Sequence, residues 1–180
     1  MKPGQSKPKG NAFENKIAKE LSLWLTHGKR ADLLERSSNS GGKATVHRKA
    51  GRDFTNIAGD LMAVGAEGHQ LINHFIVEIK HQNEINLNVS NLIFQTATDG
   101  LVAYWKKLLG ECQAHHKIPM LIFRQNSRPI YIILCNDGIK LFNCAATVTA
   151  AIRQPKKSMN IIPFQTFLNI ANPSALIVQV

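Results

Sequence analysis

Apolar residues first fall into register at Phe13, Ile17, Leu21 and Trp24, inside the stretch NAFENKIAKELSLWLTHG. Positions three and four apart share one side of a helix, so this stretch predicts an amphipathic helix with that stripe toward the core. Asn11 and Glu14 have the spacing of a capping box, and Gly28 offers a left-handed stop. The pattern then shifts to short runs rich in β-branched and aromatic residues. LLERS (33–37), IAGDLMAV (57–64) and HFIVEIK (74–80) predict strands, with Gly65 and Gly68 closing the last two into a hairpin. Residues 91–116, which carry Leu101, Tyr104, Trp105, Leu108 and Leu109, predict a second long helix. PMLIFRQ (119–125) and IYIILCN (130–136) predict strands on either side of the turn signal NSRP, and a strand at 139–143 and a short helix near 163–171 end the chain. Helix, three strands, helix, two strands is the order of an α/β fold built on a mixed sheet.

One strand breaks its own pattern. In HFIVEIK, Phe75, Val77 and Ile79 project to one face, and Glu78 and Lys80 project together to the other. The bland reading is a solvated strand face with an ion pair that contributes little. Asp60, in AGDLMAV, offers a second carboxylate if the two strands are neighbours. Two carboxylates, a backbone carbonyl and water make an oxygen-only site suited to Mg²⁺, and Lys80 beside it can orient or deprotonate a water.

Charge narrows the class. Lys and Arg number 22 against 12 Asp and Glu, and residues 1–52 hold 12 of the bases and 4 of the acids, so +8 of the net +10 lies there. That asymmetry points to a polyanion, most simply nucleic acid, with a solubilising tail as the alternative. Residues 1–10, rich in Lys, Pro and Gly, predict a mobile basic arm before a single domain at 11–180. Within it, 37–56 predicts a basic flexible loop with Lys43, Arg48, Lys49 and Arg52, and 144–180 a C-terminal extension. No apolar run reaches membrane length, and the three cysteines form no CxxC pair, which predicts a reducing, cytoplasmic setting. Cys112, His115 and His116 with Cys135 fit no standard zinc spacing.

Taken together, Gly59-Asp60 and Glu78-Ile79-Lys80 resemble the D…ExK signature of the PD-(D/E)XK nuclease superfamily, with Gly59 where a proline is usual. The order KGNAFENKIAKEL, ERSSNSGG, AGDLMAV, IVEIK, over residues 9 to about 135, is closest to the archaeal and phage-type Holliday junction resolvases. The resemblance implies a restriction-endonuclease-like core, with a central mixed five-stranded sheet flanked by helices. It implies Asp60, Glu78 and the Ile79 carbonyl as metal ligands, Lys80 as the water-activating residue, and Glu14 as a further catalytic carboxylate. Arg36 and Ser40 would contact DNA alongside the basic loop. The implied cofactor is Mg²⁺, with Mn²⁺ as a substitute, and the implied partner is a four-way DNA junction bound by a homodimer, in the host cytoplasm if the chain is phage-encoded. The alternatives are another endonuclease of the superfamily (restriction, repair or nicking) and a DNA-binding protein without catalysis.

Overall fold

The computed structural model describes residues 6–37, 58–83, 100–152 and 158–177. The basic loop, including Ser40, Lys43, Arg48, Lys49 and Arg52, lies outside the described residues, as do 84–99. Helix α1 runs Ser6–Leu25 and buries Phe13, Ile17, Leu21 and Trp24, the stripe that the periodicity marks. It closes at Gly28, whose φ of +86° lets its N–H reach back to the Leu23 carbonyl at 2.7 Å. Because the helix starts at Ser6, Asn11 lies within it and cannot be its cap, so the capping-box reading of Glu14 falls.

Strands β1 (Leu34–Arg36) and β2 (Leu61–Ala63) form their own antiparallel pair, with Arg36 opposite Leu61. Helix α2 (Ala66–His74) follows and leads into β3 (Phe75–Gln82). The expected β2–β3 hairpin is therefore corrected: AEGHQLINH is helical, and its Leu71 and Ile72 are buried. Gly68 does not turn the chain; a Cβ there would strike the Leu33 carbonyl oxygen, so it lets α2 lie close against the segment leading into β1.

Helix α3 (Gly100–His115) precedes β4 (Ile118–Gln125) and β5 (Ile130–Leu134). The strand expected at 139–143 is instead the end of helix α4 (Asn136–Phe142). Its apolar residues Ile139 and Phe142 fit a helical spacing as well as an extended one, and Asn143 caps the turn at a left-handed φ of 49°. Two strands absent from the sequence reading, β6 (Ala150–Ile152) and β7 (Met159–Pro163), precede helix α5 (Phe164–Ile170).

The main sheet has five strands in the order β3-β4-β5-β7-β6, parallel between β3 and β4 and antiparallel elsewhere. This is a mixed α/β sheet of the restriction-endonuclease-like kind, although its last two strands come from the C-terminal segment rather than from β1 and β2. Alternation along β3, β4 and β5 splits the core. Phe75, Val77, Ile79, Met120, Ile122, Ile132 and Leu134 join the larger cluster with α1. Ile76, Leu121, Phe123 and Ile133 meet Trp105 and Leu108 of α3 on the other face. The C-terminal segment is tied in by Trp24, whose Nε1 donates to the Ala171 carbonyl at 2.8 Å. Among the described residues no helix is long and apolar enough to cross a membrane, and Cys112, Cys135 and Cys144 are buried and in no disulfide.

Candidate active site

β3 is an edge strand, so half of its backbone groups look outward. They do not meet another strand of the sheet. Gly59 and Asp60 close against them: the Asp60 N–H donates to the Val77 carbonyl at 2.8 Å, and the Ile79 N–H donates to Asp60 Oδ2 at 2.7 Å. Gly59 permits this approach, since it sits at φ +90° and a Cβ there would lie 2.6 Å from the Val77 oxygen. Within a strand a residue's N–H and C=O leave on the same edge. The Ile79 carbonyl therefore points to the edge that Asp60 occupies.

Glu78 and Lys80 project from the same strand to the face opposite Phe75, Val77 and Ile79, as their alternation predicts. Lys80 Nζ lies 2.6 Å from Glu78 Oε1 and 3.6 Å from Asp60 Oδ2. Asp60 and Glu78 are buried at 9% and 8% exposure, so neither carboxylate is a solvated surface group. Burial, and then the negative charge of Glu78, push the Asp60 carboxyl up to about 6, against the pull of Lys80 and the Ile79 N–H. Burial disfavours the Lys80 ammonium, but Asp60 and Glu78 outweigh it and hold its pKa above the ordinary lysine value. The ammonium also stands 5.6 Å from the centroid of the Tyr104 ring, whose hydroxyl accepts from Gln82 Nε2.

Glu14 reaches the same neighbourhood from α1 and is held by Arg36, whose Nε donates to Glu14 Oε2. Its charge raises the Asp60 carboxyl a little further. Arg36 is positioned through β1, because Ser22, buried in α1, takes the Leu34 N–H on its hydroxyl at 3.0 Å. Among the described residues no three His, Cys, Asp or Glu side chains are grouped to hold a metal, so Glu14 does not join Asp60 and Glu78 as a third close ligand. The oxygen donors at hand are two carboxylates and one carbonyl. That set fits a hard cation such as Mg²⁺, which is bound through one or two carboxylates and keeps several waters.

A residue that the sequence reading passed over is Ser37. It is buried, its hydroxyl donates to the Gly59 carbonyl at 2.8 Å, and its N–H donates to the Asp60 carbonyl at 2.8 Å. It fixes the turn that presents Asp60, and its place directly after Arg36 was its one signal in the sequence.

A family model described as "Phage putative PDDEXK endonuclease" matches residues 5–175. The chain belongs to this PD-(D/E)XK endonuclease family. The match runs through β6, β7 and α5, so the C-terminal segment is part of what defines the family. Superfamily members generally use divalent metals. No curated protein and no solved structure matches the chain.

Proposed function

We propose that this member of the family is a Mg²⁺-dependent DNA endonuclease that resolves four-way junctions as a homodimer. The observation that carries the nuclease reading is the convergence on one strand edge of Asp60, Glu78 and Lys80, with Asp60 anchored to the Ile79 N–H at 2.7 Å. In this reading Asp60, Glu78 and the Ile79 carbonyl would hold the metal. The bound cation supplies Lewis acidity toward the phosphodiester and toward water. Burial first, and the negative charge of Glu78 second, raise the Asp60 carboxyl, and a divalent cation held there would offset both. Lys80, held as an ammonium, donates to the attacking water and orients it toward phosphorus, and it faces the charge that builds on the phosphoryl oxygens. Glu14 and Arg36 form a charged pair beside this centre, and in this reading Arg36 would also contact a backbone phosphate. Ser40 and the loop bases Lys43, Arg48, Lys49 and Arg52 would add contacts to DNA.

The junction preference rests on the resemblance of residues 9–135 to the resolvases and on the basic N-terminal third. Resolution takes two cuts in opposite strands, and a twofold dimer supplies two sites. The family description names an endonuclease and no DNA structure, so an enzyme cutting flaps or duplex fits it equally. The test compares labelled four-way junction, flap and linear duplex, each with Mg²⁺ and with EDTA, and measures mass by light scattering. Paired nicks near the branch point, made by a dimer, support the proposal. A monomer that cuts linear duplex equally well would overturn the resolvase reading and leave the nuclease reading standing. Salt-sensitive binding without metal-dependent scission would overturn both.

A further inference from the structure

On the sheet face opposite Glu78 and Lys80, the ends of β3 and β4 and residues 12–16 of α1 line an open pocket of about 300 Å³. Its described lining is Ala12, Phe13, Lys16, His81, Arg124 and Asn126, which includes bases and no acid. His81 and Arg124 are cross-strand partners, so their side chains stand next to each other on one face. The imidazole is fixed from two sides. Phe13 lies against it at 5.1 Å between ring centroids, and Asn126 Oδ1 is 3.0 Å from its Nε2. Asn126 Nδ2 donates to Asn83 Oδ1 at 2.8 Å, which fixes the amide so that Oδ1 faces the ring and Nε2 carries the proton.

Arg124 differs from the other bases near the site. Arg36 is held by Glu14, Lys80 by Glu78 and Asp60, and Lys16 lies 3.6 Å from Glu20. Arg124 has no carboxylate partner among the described residues, and its Nε is buried with no acceptor. The Nδ1 of His81 is also buried without a partner, but with the proton on Nε2 it is an acceptor and offers no second donor. A buried N–H normally finds a partner, and leaving one unmade is costly. The guanidinium's terminal nitrogens present a planar edge that matches two oxygens of a phosphate. At about 30 Å³ per water, the pocket has room for a phosphate group and part of its hydration.

We propose that this pocket is a second phosphodiester subsite, in which Arg124 grips a DNA backbone phosphate flanking the one that is cut. This rests on the nuclease reading, and it explains the position of the pocket: Phe13 adjoins Glu14 and His81 adjoins Lys80, so pocket and carboxylate cluster share two elements. A strand cut at the cluster would have to pass the end of β3, between Lys80 and His81, to bring a neighbouring phosphate to Arg124.

The experiment walks single uncharged methylphosphonate linkages outward from the cleavage position of a labelled substrate. Binding without cleavage is read in Ca²⁺, alongside KM and kcat in Mg²⁺. In the wild type, one linkage beside the cut should weaken binding about tenfold. In Arg124→Gln that linkage should have no further effect, KM should rise about tenfold with kcat within about twofold, and the salt slope should fall by about one. Lys16→Gln, an exposed change that leaves the fold alone, should weaken sensitivity at the same linkage about threefold, which keeps the test open if Arg124→Gln fails to melt cooperatively. An unchanged linkage profile in the folded variants would overturn the subsite. If one linkage governs binding in Ca²⁺ through Arg124 but no DNA is cut in Mg²⁺, the nuclease reading falls and the phosphate subsite stands.

Discussion

Strand β3 contributes to two buried clusters built on opposite terms. At its start, Phe75 stacks on Phe142 at 5.5 Å, and Phe142 meets Phe167 at 5.2 Å and Trp24 at 5.7 Å. These rings have no unmet requirement: the area is apolar and the Trp24 N–H is taken up by the Ala171 carbonyl. Farther along β3, Glu78 and Lys80 meet Asp60, and there burial works against the Asp60 carboxylate and the Lys80 ammonium. The aromatic cluster joins α1, α4 and α5 to the sheet and stabilises the fold. The carboxylate cluster draws on that stability to keep two acids close together. Strain of this kind gathers where chemistry is done, because only a surrounding structure that is stable elsewhere can hold it.

If that division is right, substitutions in the two clusters should separate rate from stability. The largest effect should come from Glu78→Gln and Lys80→Ala. Each should lower Mg²⁺-dependent cleavage on the order of 10³-fold or more, the scale of losing preorganised charge at a transition state. Glu78→Gln should leave the melting temperature nearly unchanged; near-normal turnover in both variants would remove this cluster from the reaction.

Next in size is Phe167→Ala, which should destabilise the protein by about 3–5 kcal/mol in denaturant unfolding, the usual result of emptying an aromatic core position. Cleavage per folded molecule, measured well below the transition, should stay within about twofold. A large loss of rate in the folded fraction would show that the clusters are not separable.

Asp60→Asn should act in both directions. Cleavage should collapse, yet the metal-free protein should become more stable at pH 8 by about 3 kcal/mol, on the basis of about 1.4 kcal/mol per pKa unit. Folding raises this carboxyl from 3.8 to about 6, so the folded chain binds the proton more tightly than the unfolded one. The stability linked to that proton is fully present below about 3.8 and is lost as pH rises through about 6. The gain from Asn should therefore vanish near pH 3.5, and a gain independent of pH would point to some cause other than the charge.

The smallest overall effect should come from Glu14→Gln. The pair with Arg36 is partly exposed and screened, so thermal unfolding should shift by less than about 1 kcal/mol. A drop in cleavage of tenfold or more without loss of stability would assign Glu14 to the reaction, and a change in stability alone would leave it a structural partner of Arg36.

Much of this arrangement is legible locally. The 3.6-residue stripe from Phe13 to Trp24 identifies the buried side of α1, and the alternation from Phe75 to Lys80 separates core from chemistry along β3, because both patterns follow from backbone geometry alone. What periodicity does not carry is the partner. Nothing in IAGDLMAV says that its short strand pairs with β1, or that Asp60 reaches β3 through hydrogen bonds to Val77 and Ile79 rather than as the rung of a hairpin. Sequence neighbours of Gly65 and Gly68 were read as a turn, and only the Leu33 carbonyl lying against Gly68 explains the second glycine. In the same way β6 and β7, too short and irregular to stand out, become strands because β5 offers β7 an edge and β7 in turn offers one to β6, and His81 meets Arg124 only because β3 and β4 align in parallel. The sequence by itself determined which residues are buried and which carry charge on each element. The tertiary structure decided which charges face one another, because pairing across a sheet depends on contacts between distant segments that no local pattern encodes.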